Sequence, residues 1–425
     1  MKKIRLLCVL LIFVLAMTGC KSQVSVLQLN KQGEFKKIQE PQVSNKDALY
    51  LASNALGIRL LQEISEEKQK ENIILSPTSL STVLAVLGNG AADETRAEIN
   101  GLIDPEGFLP EELNEKYCNL INHLNNAGYK EGEKRTTLVE LANSIWMEER
   151  LPVKDAFLRT ANEYYNTEVY NVNFAEDGTK NAINQWIEGK THNRIRNHIA
   201  DIDPQTAMYI FNSLYFQGKW QNKFDKSETQ KEDFELRNGD KVTVDMMNAE
   251  RRISYYEDDK IQAGKFDYYG CSMLVILPKG NIDGYISQLS NGELDKIDDS
   301  FDHIKVKIKL PKFSFGQKNQ LNDYLTALGM KTAFDIEKAD FTGIADRSDG
   351  FNLYIDDIAQ ECFISVDEEG TEAAALTSVL LAGAAPPKEI VPPEFYVERP
   401  FLFIIRDNRT GLMLFMGKVE NPLDN

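Results

Sequence analysis

One segment near the C-terminus limits the possible folds more than any other part of the sequence. Residues 366–393 are mostly small, and they lie between a strand-like run at 358–366 and two apolar runs at 401–406 and 412–419. A loop of about thirty residues in a compact domain is usually functional or disordered. An alanine-rich linker is the simpler interpretation, but in this sequence only the apolar pair follows it. We therefore expect one domain with a long exposed loop beside its last strands.

Periodic patterns elsewhere predict a mixture of helices and antiparallel strands. A helix is predicted after Ser76. Ser76 can cap it, the proline that follows suits the first helical position, and an apolar face continues to Gly88. Residues 304–310 alternate between apolar and polar, which is typical of a strand with one face in water. A short helix is predicted over 321–328, and an antiparallel pair buried on both faces over 401–419. Without a strand–helix–strand rhythm, the fold class is α+β.

Composition and charge restrict the kind of partner. The chain has 425 residues, of which 42% are hydrophobic and 27% charged, and this suits a large globular core. A net charge of −17 argues against nucleic acid and anionic lipid surfaces, which attract basic faces. We therefore expect the partner to be a protein or a small molecule. We also expect the chain to be a monomer.

The first twenty residues have the order of an export signal. Basic residues precede twelve apolar residues at 6–17, too few to span a bilayer as a helix, and small residues then precede Cys20. This junction resembles a bacterial lipobox, in which the cysteine carries the lipid and becomes the new N-terminus. An ordinary cleaved signal is the alternative, and Met17 is less usual than leucine at its position. We expect lipid attachment at Cys20.

The remaining sequence divides into a short tether and one large domain. Residues 1–19 are interpreted as a removed signal peptide. Residues 20–44 are polar without a sustained period, which predicts a lipid-anchored tether. Residues 45–425 form the domain. The predicted location is the outward-facing surface of the cell envelope of a bacterium.

The usual sequence signatures of catalysis are absent. There is no His-Glu-x-x-His zinc helix, no Gly-x-Ser-x-Gly elbow and no glycine-rich phosphate or dinucleotide loop. His192 and His198 lie in a basic, polar stretch and are interpreted as solvated residues rather than metal ligands. Cys118, Cys271 and Cys362 are far apart and odd in number, which predicts no disulfide framework. We therefore expect a binding or inhibitory protein without metal or cofactor, and not an enzyme.

The long loop begins with a motif that resembles a known protein family. Residues 368–375 read Glu-Glu-Gly-Thr-Glu-Ala-Ala-Ala, and they resemble the hinge of the reactive-centre loop in inhibitory serpins. The hinge residues taken from this resemblance are Glu368, Gly370, Thr371, Glu372, Ala373, Ala374 and Ala375.

Further segments extend the resemblance over most of the chain. Residues 72–80 resemble the start of the buried helix behind the main serpin sheet, and residues 211–220 resemble a central strand of that sheet. Residues 339–344 match another family segment, and residues 399–422 resemble the C-terminal signature. Agreement in order and spacing over 72–422 makes coincidence a poor explanation.

The resemblance implies a serpin fold with three β-sheets, eight or nine helices and an exposed reactive-centre loop. In this family the main sheet opens at two places, the shutter and the breach. The matching residues are interpreted as structural, and they are Ser76, Ser79, Asn212, Trp220 and Gln360. Gln360 stands where many serpins have a histidine, but an amide can also bridge buried backbone and Ser76, Ser79 or Asn212.

The resemblance also implies a suicide-substrate mechanism. A serine protease cleaves the loop to a covalent acyl-enzyme, and the loop then inserts as a new central strand that distorts the protease. Insertion requires small side chains at every second position and no proline, because one strand face becomes buried. Gly370 can serve as the pivot, and the first proline after it is Pro386. The alternate small residues are Thr371, Ala373, Ala375 and Thr377.

Counting along the loop predicts the cleaved bond. The family's usual spacing of sixteen residues after the first hinge glutamate, Glu368, gives Ala384 followed by Ala385. A count back from Pro400, as in serpins with shorter loops, gives Glu389 or Lys388 instead, and cleavage after Lys388 would indicate a trypsin-like target. We prefer the first count, which suits elastase-like or subtilisin-like proteases with apolar primary pockets. A non-inhibitory serpin that acts as a carrier or surface binder is the remaining alternative.

Overall fold

Nine α-helices lie in the part of the chain that the computed structural model describes, which comprises residues 26–127, 136–195, 199, 201–347, 352–371 and 391–424. None of them combines the length and the apolar character needed to cross a membrane. The helices are α1 (Ala48–Glu67), α2 (Pro77–Gly90), α3 (Asp93–Ile103), α4 (Pro110–Asn125), α5 (Asp155–Tyr165), α6 (Asp177–Lys190), α7 (Ile282–Ile286), α8 (Asn291–Asp299) and α9 (Asn322–Ala327).

The strands dominate the second half of the chain. They are β1 (Leu27–Gln28), β2 (Ile73–Leu75), β3 (Thr137–Glu148), β4 (Glu168–Val172), β5 (Met208–Lys219), β6 (Gln230–Glu235), β7 (Lys241–Glu257), β8 (Ile261–Asp267), β9 (Cys271–Pro278), β10 (Asp302–Pro311), β11 (Phe313–Gln320), β12 (Asp357–Asp367), β13 (Gly370–Thr371), β14 (Glu394–Tyr396), β15 (Phe401–Asp407) and β16 (Met413–Val419).

These strands form two hydrogen-bonded sheets, one of seven strands and one of nine. The first has the order β1-β4-β3-β5-β13-β12-β11, and we call it the main sheet. In the second, β7 is long enough to belong to two parts. Its beginning pairs with β6 and its middle with β10, which in turn pairs with β14. Its end pairs with β8, which continues through β9, β15 and β16 to β2. The main sheet and these two parts correspond to the three expected sheets.

Helix α2 lies in the core between the main sheet and β16. The Ser76 side chain accepts a hydrogen bond of 3.2 Å from the Ser79 amide and so caps the helix, as the sequence predicts. The helix continues two residues beyond Gly88, to Gly90. Almost all of its side chains are buried, because both sides face other elements.

One local expectation from the sequence needs adjustment, and another is confirmed. The strand predicted at 304–310 is present as part of β10, but Ile304 is 36% exposed while Val306, Ile308 and Leu310 are buried. The apolar pattern therefore begins two residues before the buried part of the strand does. The predicted pair at 401–419 is present as β15 and β16, which are antiparallel and buried on both faces.

Residues 26–44, which belong to the segment predicted as a tether, contact the rest of the domain. Strand β1 adds to the edge of the main sheet beside β4, and the Asn30 side chain donates 2.7 Å to the Thr167 carbonyl oxygen. Further along, Asn122 and Asn119 of α4 accept from the backbone amides of Ile38 and Gln42. Polar side chains and backbone amides of this segment and of α4 form the hydrogen bonds that hold it on the domain. The described chain therefore packs against the domain from near residue 26 onward.

A group of buried charges ties the last strand to the helices. The Lys418 side chain is fully buried, and its Nζ donates to the Gln69 carbonyl oxygen at 3.0 Å and to Asp283 at 3.1 Å. Glu420 lies 3.3 Å from the same Nζ, and Arg237 pairs with both Asp283 and Glu420. Two cations therefore balance two carboxylates, as burial requires.

Candidate functional site

We call the boundary between β5 and β12 the seam. The way in which the two strands are paired changes along its length. Residues 209–213 of β5 pair directly and in parallel with residues 357–361 of β12. Near the far ends of the same strands, β13 lies between them and is antiparallel to both. Thr371 pairs there with Gly218 on one side and with Val366 on the other. The seam is thus closed at one end and separated by an inserted two-residue strand at the other.

A network of buried amides holds the closed end. The Gln360 Nε2 donates 2.9 Å to the Ser76 carbonyl oxygen and 2.8 Å to the Asn212 side-chain oxygen. Its Oε1 accepts 2.9 Å from the Ser76 amide. Asn212 in turn donates 2.7 Å to the Ser79 hydroxyl and 2.6 Å to Asn143 of β3. One end of α2 therefore holds both seam strands, β5 through Asn212 and β12 through Gln360.

An aromatic cluster holds the inserted end. The Trp220 ring stacks on the Tyr268 ring at 4.3 Å, and the indole Nε1 donates 2.9 Å to the Asp367 carbonyl oxygen. The hydroxyl groups of Tyr268 and Thr371 share a hydrogen bond of 2.7 Å, and the Thr371 side chain is buried. The backbone amide of Trp220 donates 3.0 Å to the Glu369 carbonyl oxygen. Side chain and backbone contacts together fix β13 in the seam.

The turn that leads into β13 requires glycine. Gly370 has φ +144°, a region that residues with side chains rarely adopt. A Cβ atom at this position would lie 2.1 Å from the Gly218 carbonyl oxygen and 2.8 Å from the Lys219 Cα. The Asp367 carboxylate closes the turn by accepting from the amides of Glu369 and Gly370 at 2.8 and 3.2 Å. Burial nevertheless raises the pKa of Asp367.

The two hinge glutamates are held by cations on neighbouring elements. Glu368 lies 3.0 Å from the Lys312 Nζ and accepts 2.8 Å from the Thr229 hydroxyl. Burial opposes its ionisation, but hydrogen bonds from the backbone, Lys312 and Thr229 outweigh burial and leave the pKa of Glu368 below its ordinary value. Glu369 pairs with Lys223. These contacts fix the beginning of the hinge where β12 ends.

The described site residues predicted from sequence fall into two groups at the two ends of the seam. Ser76, Ser79, Asn212 and Gln360 meet at the closed end, and Glu368, Gly370, Thr371 and Trp220 lie at the inserted end. The remaining predicted positions lie outside the described residues, and they are Cys20, Glu372, Ala373, Ala374, Ala375, Ala384, Ala385 and Lys388.

Three important residues were not predicted from the sequence. Asn143 lies opposite Asn212 in the β3–β5 ladder, and a polar residue inside an otherwise apolar strand was the available signal. Asp367 precedes the hinge directly, and an aspartate before glycine is a recognisable turn signal. Tyr268 had no such signal, because its contact with Thr371 spans 103 positions.

The fold and the seam together define a class of α+β protein whose main sheet is split at one end by a short strand between two long ones. A family model described as "Serpin (serine protease inhibitor)" matches residues 51–422. This chain belongs to the serpin family, and the expected fold class is confirmed. Serpins in general are not enzymes but inhibitors, and their targets are proteases.

Relatives and solved structures agree with this assignment. An uncharacterised serpin-like protein of Thermococcus kodakarensis is 35% identical over 405 residues, which cover 94% of this chain and 90% of the relative. The leukocyte elastase inhibitor of Homo sapiens is 30% identical over 394 residues, which cover 88% of this chain and all of that protein. The native state of the thermophilic serpin tengpin superposes with a TM-score of 0.83 at 29% identity, covering 94% of this chain and 100% of tengpin.

Proposed function

We propose that this chain is a suicide-substrate inhibitor of serine proteases and acts by inserting its cleaved loop into the seam. The observation that carries the proposal is β13, which already occupies the place and direction of a new central strand. The reaction would continue an insertion whose first two residues are in place.

Strand pairing supplies the driving force. Insertion would replace the parallel β5–β12 pairing with two antiparallel ladders, and antiparallel pairing is somewhat more stable per residue. Each inserted residue would also gain partners on both sides. The native sheet therefore has a more stable arrangement available once cleavage frees the loop.

The register of β13 supports the preferred cleavage position. Thr371 lies opposite Gly218, and stepping back along β5 brings residue 380 opposite Tyr209. Stepping back along β12 from Val366 brings the same residue, 380, opposite Asp357. Both ladders would therefore end near residue 380. A cut between Ala384 and Ala385 leaves only a short connection to the bound protease, whereas a cut after Lys388 leaves a longer one.

The target and location form part of the proposal. Ala384, with apolar neighbours, suits elastase-like or subtilisin-like serine proteases, which would form the covalent acyl complex. Lys388 and a trypsin-like protease remain the alternative. A lipid on Cys20 would hold the exported chain at the cell envelope. Because residue 26 already lies on the domain, the connection to the lipid would reach about 20 Å at most.

Protease mixing tests this function. The purified chain is incubated with subtilisin, pancreatic elastase and trypsin, followed by denaturing gels and sequencing of the released peptide. We expect a stable covalent band with one of the first two enzymes and a new N-terminus at Ala385; a start at Glu389 would move the bond to Lys388. Thr371→Arg is the matched control, since a charge in this buried position blocks insertion and leaves only cleavage. Cleavage without any covalent band in the wild type would contradict the proposal and favour the carrier alternative.

A further inference from the structure

The first described residues join the domain at one end of the main sheet. Leu27 of β1 pairs with Asn171 of β4, and the two strands are antiparallel. The residue before them, Val26, is half-buried against the cluster of apolar side chains between α6 and the main sheet. Strand β4 ends one position after Asn171, at Val172. The chain therefore enters the domain where β4 ends.

This end of the main sheet is opposite the hinge. Val172 pairs with Glu148, the last residue of β3, and β5 begins beside the same end of β3 with Met208. Strand β12 also begins here, with Asp357. The hinge and β13 lie where β5 and β12 end. Since β5 has 12 residues that each advance about 3.3 Å, about 36 Å separate the two ends.

The proposed inhibitory reaction would bring the protease to the end where the chain enters. In the acyl-enzyme the Ala384 carbonyl carbon is bonded to the serine oxygen of the protease, and the Ala385 amine leaves with the serine proton. The β13 register places residue 380 beside Asp357, and Ala384 would follow within about 13 Å. The inserted strand lies four strand spacings from β1, or about 19 Å.

We propose that inhibition moves the captured protease to the membrane side of the anchored domain. This inference rests on the inhibitory function and on the lipid at Cys20 that are proposed above. Before cleavage the hinge lies about 36 Å from the end at which the anchored chain enters, so a protease can approach it from the side away from the membrane. After insertion the protease and the anchor would share one end of the domain.

The short connection to the lipid would bring the protease close to the membrane surface. Six residues from Cys20 to Val26 reach about 20 Å at most. A protease domain of about 230 residues is about 45 Å across. It is therefore too large for the space beneath an upright domain. The domain must turn about its anchor until the protease lies beside it and next to the lipid.

The charge at this end of the domain allows such a turn. The turn after β3, the start of α6 and the turn before β5 all lie here, and most of their exposed charged residues are acidic. The acidic residues are Glu149, Glu176, Asp177, Asp201 and Asp203, and the basic residue is Arg150. Because anionic lipid surfaces attract basic residues and repel acidic ones, this end has no electrostatic attraction to such a membrane. Only the lipid would hold it there.

Energy transfer to labelled lipid tests the position of the protease. The mature chain that begins at Cys20 is coupled to maleimide-headgroup lipid in phosphatidylcholine vesicles that also contain an acceptor dye on lipid headgroups. The described cysteines Cys118, Cys271 and Cys362 are buried, so coupling occurs at Cys20. A donor-labelled protease, subtilisin or elastase, is bound either as the covalent complex or, with its catalytic serine replaced by alanine, as the uncleaved encounter complex. We expect a greater loss of donor fluorescence in the covalent complex. Covalent complexes are formed in solution before coupling, so their yield does not affect the comparison.

Coupling at the opposite end provides the matched control. Glu228 is exposed and precedes Thr229, which donates 2.8 Å to Glu368 at the hinge end. In the variant that combines Glu228→Cys with Cys20→Ser, the order should reverse, with the greater loss of donor fluorescence in the encounter complex.

The outcomes separate this inference from the proposed inhibition. Equal donor loss in the two complexes coupled at Cys20, or the same order for both attachment sites, would overturn the membrane-side position alone. An unmodified Cys20 in the mass spectrum of the mature chain, after expression in a bacterium that exports lipoproteins, would also overturn it and leave inhibition intact. If no covalent complex forms with any protease, the inhibitory function fails and this inference fails with it.

Discussion

Replacing Gly370 with alanine tests whether backbone geometry fixes the hinge in the seam. The added Cβ would approach the Gly218 carbonyl oxygen to 2.1 Å and the Trp220 backbone nitrogen to 2.9 Å. Both contacts involve the backbone, so no side-chain rotation relieves them. The change should force either β5 or the hinge to move.

The cost can be worked out from the contacts of β13. Keeping an alanine at φ +144° costs about 1–3 kcal/mol before the collision is counted. Expelling β13 instead loses the Tyr268–Thr371 hydrogen bond and a short ladder, at about 1 kcal/mol for each hydrogen bond. Expulsion is thus the cheaper response. We expect Gly370→Ala to lose about 3 kcal/mol of unfolding free energy and to expose the hinge.

Three measurements report on this change. Urea unfolding gives the stability, limited proteolysis gives the exposure of the hinge, and tryptophan fluorescence reports on Trp220, which packs against Tyr268. Insertion also needs the glycine turn, so the variant should behave more as a substrate and less as an inhibitor in the protease assay.

Gly329→Ala is the control for backbone strain alone. Gly329 has φ +113° with no atom within 4 Å of an added Cβ, so we expect a loss of only about 1–2 kcal/mol. If Gly370→Ala is no less stable than this control and its hinge stays protected from proteolysis, the collision argument is refuted.

Other predictions concern the two ends of the seam and the buried charges. Gln360→Leu removes three buried hydrogen bonds, and urea unfolding should show a loss of about 3 kcal/mol. Lys418→Met leaves buried carboxylates without their cation and should cost about 3–5 kcal/mol, whereas Lys241→Met, in an exposed pair, should cost less than about 1 kcal/mol. Because the folded pKa of Glu368 is lowered, its contribution to stability is present above the ordinary value of 4.5 and is lost as pH falls through the folded pKa. Unfolding titrations below pH 5 should show a smaller loss in Lys312→Met, which lacks the cation that lowers this pKa.

Local sequence patterns predicted those helices and strands whose position depends mainly on neighbouring residues. The cap at Ser76 and the apolar face after it located α2, and the alternating and continuous apolar runs located β10, β15 and β16. The resemblance to serpins predicted that Gln360 contacts Ser76, Ser79 or Asn212. The structure shows hydrogen bonds from Gln360 to Ser76 and Asn212. Each of these inferences needed only spacing or a short motif.

Long-range placement could not be obtained in this way. Nothing in the polar composition of residues 26–44 indicates that β1 joins the sheet beside β4, because that pairing depends on an edge formed far along the chain. Tyr268 illustrates the same limit, since its partner Thr371 is brought to it by the register of β5 and β12. The turn at 192–194 is a further example, because its side chains contact Glu140, Tyr215 and Phe363 on three different strands.

If the loop inserts as proposed, the closed end of the seam would delay insertion without making it less favourable. A new strand must break the direct hydrogen bond between Gln360 and Asn212, because it separates their strands. The register of β13 places residue 377 opposite both amides, and that residue is Thr377. It is an even number of positions from Thr371, so its side chain would face the same interior side. A hydroxyl group can donate to one amide and accept from the other. The bond lost in opening the seam would then be replaced in the inserted state, so in the proposed mechanism the Gln360–Asn212 contact would raise the barrier to insertion and leave the final energy nearly unchanged.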